Sequence, residues 1–465
     1  MEELSREELI VLVLAQSEQL ASLQVLLAQV QADNEALQAK LEKLQKPPSN
    51  SSNSSQPPSR DQKRNKAANR PKRKHGPPAG HVKYERCFVA EPDQIVPLRV
   101  TDCPVCQTDL QAAPAVLVDV TQITAIPEPK AQVIEVRQYA VTCPGCGQSH
   151  VAEAPAGLEL NRRFGARLET TVVYYRQEQH MSYEWTQAAL LNLHGIHLSQ
   201  GGIDHMMQRA GQAALPAVEI IRTAVQQSAV VNSDETGARV DGQNWWHWVF
   251  CTMTAVLHVI WASRATQVIQ EVMGEVEVEV WGSDCLPAQL KAKAKQRQLC
   301  LAHQLRNLQA VVDRYPILCW TKAMQVLFRA AIHLHHQRAD LPPEQFQQQI
   351  IRLEQVCEWL LKRPLSQSEA VKLQRRYRKH RHSLFVFLYR TDVPPTNNVS
   401  ERALRSAVVH RKVTGGFRSE WGAKTYAALA SVIDTAALKG VSAFAAIQTL
   451  LGTPALPVPV PASGE

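Results

Sequence analysis

The sequence predicts a multidomain chain of mixed α+β and α/β character, with an N-terminal coiled coil, a small zinc-binding module and a core sheet interrupted by helices. Three observations carry that prediction. Apolar residues repeat in heptads over the first 46 positions, two CxxC pairs stand in the first third of the chain, and β-branched and aromatic runs cluster between residues 229 and 284. At 465 residues and 45% hydrophobic content, the chain is long enough to bury a large core and to divide into two to four domains.

Residues 1–46 form the predicted coiled-coil dimerisation helix. Val13, Leu20, Leu27, Asn34 and Leu41 share one core position, and Leu9, Leu23, Val30, Leu37 and Leu44 share the other. Asn34 matches the polar core residue that fixes register in parallel dimers. Pro47 and Pro48 end the helix, because proline lacks the N–H that a helix interior needs. A flexible basic linker, 47–83, follows. It is rich in Ser, Asn and Pro, and its cations include Lys72, Arg73 and Lys74. Such a composition cannot pack a core, but it suits the phosphates of a nucleic acid.

Residues 84–156 hold Cys103 and Cys106 in CPVC and Cys143 and Cys146 in CPGC. Two thiolate pairs at this spacing can close one tetrahedral structural Zn²⁺ site, and the lack of a secretion signal favours metal over disulfides. The region 157–228 reads as helical. A helix-turn-helix DNA reader and a connecting helical layer both fit it.

From residue 229 the rhythm changes. Three strands, a helix and a fourth strand are expected, with Asp234 and Asp284 each at the end of a strand. Adjacent strands would bring the two carboxylates to one edge of the sheet, where they repel unless a hard cation such as Mg²⁺ neutralises them. The aromatic stretch Trp245 to Trp261 is short for a membrane span and carries His247 and His258, so it reads as two buried strands. The acidic N-terminus lacks the pattern of a signal peptide, which predicts a soluble cytoplasmic chain with no membrane partner.

The net charge of +8 is unevenly spread, with basic clusters at Arg60 to Arg86 and Arg375 to Arg381 that suggest a polyanionic partner. The stretch PPTNNVSERALRSAVVHRK, from Pro394 to Lys412, places Glu401 at a helix start among cations. As a capping residue it would favour the positive end of the helix dipole. As a metal ligand it would face other carboxylates, while Arg402, Arg405, His410, Arg411 and Lys412 hold a DNA backbone. Cys300 and His303 form a Cys-x-x-His pair on a predicted helix. Two ligands are too few for a metal site, and packing beside the active site is the preferred reading. His333, His335 and His336 read as polar-face residues of a further helix.

The blocks NSDETGARVDGQNWWHWVF, WGSDC, CLAHQLRNL and PPTNNVSERALRSAVVHRKVTGGFRSEWGAKTYA, taken in order, resemble the motifs of insertion-sequence-66-type transposases. The cysteine module and the NSSNSSQPPSRD linker resemble the N-terminal half of the same family. The resemblance implies a ribonuclease-H-like catalytic core in two parts, 229–319 and 393–450, split by a helical insertion at 320–392; the residues 451–465, ending PALPVPVPASGE, read by composition as a disordered tail. The resemblance also implies a DDE triad of Asp234, Asp284 and Glu401 holding two Mg²⁺ ions that cut and join DNA. The expected partners are transposon ends and target DNA and a second copy of the chain or a larger homo-oligomer, with the need for an accessory protein left open. Association with the nucleoid follows. A decayed end-binding protein and a nuclease that cuts without joining are the alternatives.

Overall fold

The computed structural model describes residues 87–127, 129, 131–154, 158 and 163–452, together with isolated positions before residue 87. Residues 29–31, 33 and 34 are helical; the rest of the expected coiled coil, the cations Lys72, Arg73 and Lys74, and the tail from 453 lie outside the described residues. Contacts divide the chain into two units. One comprises Met1–Gln62, Val136–Gln187 and Leu198–Glu465, the other Lys63–Glu135 and Ala188–His197.

In the first unit a short antiparallel pair, β1 (Ala140–Thr142) and β2 (Ser149–Val151), brackets the second CxxC turn. Helices α1 (Ala166–Gln177), α2 (Tyr183–His194) and α3 (Gln200–Gln226) follow, α2 running on into the second unit. The predicted turn before α3 is present: the Ser199 hydroxyl accepts from the Gly202 N–H at 3.1 Å and caps the helix.

The sheet contains β3 (Val230–Val240), β4 (Gln243–Cys251), β5 (Val256–Trp261), β6 (Val278–Ser283) and β7 (Ala294–Leu299), in the order β5-β4-β3-β6-β7. The first three strands are antiparallel; β6 and β7 join parallel. Asp241 and Gly242, both at positive φ, make the two-residue turn between β3 and β4, the geometry that matches strand twist. Helix α4 (Thr266–Met273) carries the chain from β5 across to β6. The Trp245 to Trp261 stretch is thus two strands, as its composition predicts, and no helix among the described residues is long and apolar enough to cross a membrane.

Two expectations need correction. Asp234 does not end its strand but sits within β3, because the chain stays extended through Gly237 to Val240. The strand β7 was not expected at all. Its sequence AKQRQL has an exposed polar start, and only Gln298 and Leu299 are buried.

Helices α5 (Leu301–Arg314), α6 (Cys319–His336), α7 (Pro343–Lys362), α8 (Ser368–Lys379) and the short α9 (Val386–Tyr389) follow β7. They share one apolar cluster with Val230, Val280 and Leu299, so they pack directly onto the sheet. His333 and His336 lie on the exposed side of α6, whereas His335 is half-buried against the Phe387 ring. Helices α10 (Asn398–Thr414), α11 (Glu420–Ala437) and α12 (Ala443–Leu450) complete the unit.

Side-chain alternation along β3 decides what meets what. Val231 joins Trp248, Phe250, Leu257 and Trp281 under α3 and α4. Residues of the other face (Ala238, Val240, Val249, Cys251 and Ile260) pack against Leu404 and Ala407 of α10 and against α11. Asp234 belongs to the same alternate set as Ala238 and Val240, so it faces α10.

Candidate active site

The parallel ladder between β3 and β6 ends at Asn232 opposite Gly282. Two residues further along come Asp234, within β3, and Asp284, just past the end of β6, so the register brings the two positions to about the same level. A Cβ on Gly282 would stand 2.1 Å from Asn232 Oδ1, so glycine leaves room for the Asn232 side chain at this step of the ladder. Beyond β6, Asp284 Oδ1 accepts the Leu286 N–H at 2.7 Å, which shapes the turn out of the strand.

Glu401 comes from the first turn of α10, and the segment before it is stitched to the sheet. Asn397, 1% exposed, donates through Nδ2 to the Ser233 carbonyl at 2.7 Å and through its backbone N–H to Cys300 Sγ at 3.1 Å. The Leu301 N–H donates to the Pro395 carbonyl at 3.0 Å, and the Glu401 N–H to that of Asn397 at 3.1 Å. The residue beside Asp234 and the start of α5 thereby fix where α10 begins.

The electrostatics follow from this geometry. Burial pushes the Asp234 carboxyl well above the usual range, and the charges of Glu235, Asp284 and Glu401 push it further. Glu235 lies on the opposite side of the strand. It is held by Arg264, with Nη2 at 2.6 Å, and by Gln289 Nε2 at 2.6 Å, while Gln289 Oε1 accepts from Ser233. Glu235 is therefore a bracing residue, despite its place next to Asp234. Glu401 accepts from Arg306 Nη2 at 3.0 and 3.3 Å. His303 Nδ1 stands 3.6 Å from Glu401 Oε1 and makes no hydrogen bond. Burial and then the Arg306 charge lower the His303 pKa.

Asp284 and Glu401 lie near enough to Asp234 for their charges to raise its pKa, after burial, and carboxylate oxygens are the donors that a hard divalent ion takes. Arg306 and Asn397 were not singled out from the sequence. The signal for Arg306 was its spacing, since Cys300, His303 and Arg306 recur every three residues and share one side of α5. Asn397 precedes the helix and carries no periodicity that would mark it.

Among the expected phosphate contacts, Arg402, Arg405 and Lys412 are exposed on α10. Arg411 is half-buried and donates to the Gly237 carbonyl. His410 is a correction, because it faces inward. It is 5% exposed, stacks on Phe417 with ring centroids 4.8 Å apart, and has its pKa lowered to about 3 by burial, then by His180 and Arg176. A neutral buried imidazole does not hold a phosphate.

The cysteine pairs adopt matching turns. Cys103 and Cys106 lie in the second unit, Cys143 and Cys146 in the first. In each turn the first Cys N–H donates to a carbonyl five residues on, at 2.9 and 2.8 Å, and its carbonyl accepts from four residues on, at 2.8 and 2.9 Å. Gln107 and Gly147 occupy the same left-handed position in the two turns. The Thr108 hydroxyl and N–H, then the Cys103 thiol, lower the Cys106 pKa to about 7. Hydrogen bonds from Cys146 and Gly145 lower that of Cys143. Thiols that ionise readily are the form zinc requires.

Comparison with known proteins agrees with the resemblance seen in the motifs. The family model described as "Transposase IS66 family" matches residues 161–425, a span that holds the whole sheet, both aspartates and Glu401. No curated protein matches the chain significantly.

Proposed function

Because the chain belongs to the transposase IS66 family, we propose that it is a DDE transposase that binds the ends of its insertion sequence, cuts them and joins them to target DNA. The observation that carries the proposal is that the charges of Asp284 and Glu401 both act on the buried Asp234 of a sheet ordered β5-β4-β3-β6-β7. That strand order, three antiparallel strands followed by two parallel ones, supports a ribonuclease-H-like core.

In this reading the three carboxylates hold two Mg²⁺ ions, which when bound activate a water or a DNA 3′-hydroxyl and stabilise the leaving oxygen. The chain's own residues do the rest. Burial and its acidic neighbours raise the Asp234 pKa, so cation charge held there would favour its ionised form. Asn397 holds the start of α10 against β3 and so keeps Glu401 in register with Asp234. Arg402, Arg405, Arg411 and Lys412, with Lys72, Arg73 and Lys74 of the linker, are assigned to the DNA backbone. Zinc on the cysteine turns is assigned a structural role, and the heptads are assigned to pairing two copies so that both element ends are held.

The test is nicking of a plasmid carrying the element's two ends, in Mg²⁺, by wild type and by Asp234→Asn, Asp284→Asn and Glu401→Gln. Wild-type nicking at the ends, lost in all three variants while end binding persists, supports the proposal. Nicking retained in any of the three refutes the triad.

A further inference from the structure

Cys300 and His303 supply two potential ligands from one turn of α5, and the fold adds a third. Cys300 Sγ, His303 Nδ1 and a Glu401 carboxylate oxygen all lie within 4.8 Å of one another, the one such group of three among the described residues. Glu401 comes from α10, a hundred positions along the chain, which is why the pair looked incomplete in the sequence. We infer that Cys300, His303 and Glu401 form a site for a soft divalent cation of the zinc class, distinct from the Mg²⁺ sites assigned to the three carboxylates.

Each donor is prepared for that role. The Cys300 side chain is 1% exposed, yet its sulfur receives the Asn397 N–H at 3.1 Å. A backbone donor aimed at a buried sulfur is the kind of outer support that a metal-bound thiolate has. His303 Nδ1 is buried, without a hydrogen bond, and 3.6 Å from Glu401 Oε1. Tetrahedral zinc ligands at bond lengths of about 2.0–2.3 Å stand roughly 3.5 Å apart, so the His–Glu pair already fits and the remaining gaps close by about 1 Å. Arg306 donates to both Glu401 oxygens and would stay as an outer partner of the coordinated carboxylate.

The donor chemistry selects the ion. Sulfur and imidazole favour Zn²⁺ and Co²⁺ over Mg²⁺, whereas the Asp234–Asp284–Glu401 oxygens favour Mg²⁺. Glu401 belongs to both sets. A soft ion on Cys300 and His303 therefore draws Glu401 away from Asp234 and silences the chemistry. That consequence rests on the proposed function; the binding itself does not.

Cobalt is the probe, titrated into the full chain after zinc has been added in amounts that fill the cysteine turns. Wild type is compared with Cys300→Ser and His303→Gln, each checked for an unchanged circular dichroism spectrum. The expected result is one extra equivalent of bound Co²⁺ in wild type with a sulfur-to-metal charge-transfer band, the band absent from both variants and the affinity at least tenfold weaker. His303 is partly exposed, so its variant keeps the test alive should Cys300→Ser misfold. Equal stoichiometry and equal spectra in wild type and His303→Gln would overturn the inference. Absence of DNA cleavage by wild type in the separate plasmid assay would instead count against the proposed function and leave the cobalt result standing.

Discussion

Replacing Asp234 with Asn keeps the shape of the side chain and removes an ionisable carboxyl from a crowded group of acids. Asp234 faces the charges of Glu235, Asp284 and Glu401 from a buried position, and each of them raises its pKa. Two unit charges about 6 Å apart repel by about 3 kcal/mol at an effective dielectric constant of about 20. Arg264 and Arg306 already offset Glu235 and Glu401, so about 1–3 kcal/mol of relief is expected. In magnesium-free buffer with zinc retained, Asp234→Asn should raise the Tm by about 2–8 °C at neutral pH. The pH dependence has a definite sign. The folded chain keeps a proton on Asp234 that the unfolded chain has given up, so wild-type stability falls as pH rises from the ordinary aspartate range through the raised native value. Below that range both states are protonated and the advantage of Asn disappears. Added Mg²⁺ should then raise the Tm of wild type and leave the variant almost unmoved, because stabilisation by a ligand follows its affinity for the folded state. Thermal unfolding followed by circular dichroism at several pH values reads all of this. A variant less stable than wild type without Mg²⁺, or one that keeps the full Mg²⁺ response, would refute the reasoning.

The same geometry sets other outcomes. Asn397→Ala leaves the Ser233 carbonyl unsatisfied in a buried place and should cost about 1–3 kcal/mol in denaturant unfolding, with DNA cleavage falling more than end binding. Gly282→Ala sets a methyl group against the buried Asn232 side chain, which must turn aside to admit it, and should destabilise by about 1–3 kcal/mol. His410 titrates near 3 in the folded chain, so the stability it contributes is complete above its ordinary range near 6.5 and is lost as pH falls from there towards 3. His410→Phe should flatten part of that acid-side loss, measured as Tm between pH 4 and 7.

The strands β3, β4 and β5 were legible because their β-branched and aromatic runs are long and broken by a clear turn at Asp241-Gly242. Strand β7 was not, since its burial is confined to Gln298 and Leu299. Gln298 bonds to the adjacent Leu299 carbonyl and to two distant partners, the Leu384 carbonyl and the Phe387 N–H. The position of Asp234 within its strand was hidden because NSDETG reads as a turn, while pairing with β4 keeps it extended. His410 was misread by charge context, although its spacing from Leu404 and Ala407 already placed it on the buried side of α10. The contact between Glu401 and the Cys300–His303 turn could not be seen in one dimension. It depends on Pro395 and Asn397 docking on α5 and β3, and backbone hydrogen bonds of that kind leave no residue pattern.

The central claim is that Glu401 completes a site that joins DNA, and joining can be measured apart from cutting. Pre-cleaved element ends bearing free 3′-hydroxyls are offered to wild type and to Glu401→Gln with a supercoiled target in Mg²⁺, and end binding is followed in parallel. The account predicts joined products from wild type only, with both proteins binding the ends. Joining by Glu401→Gln at the wild-type rate would contradict it.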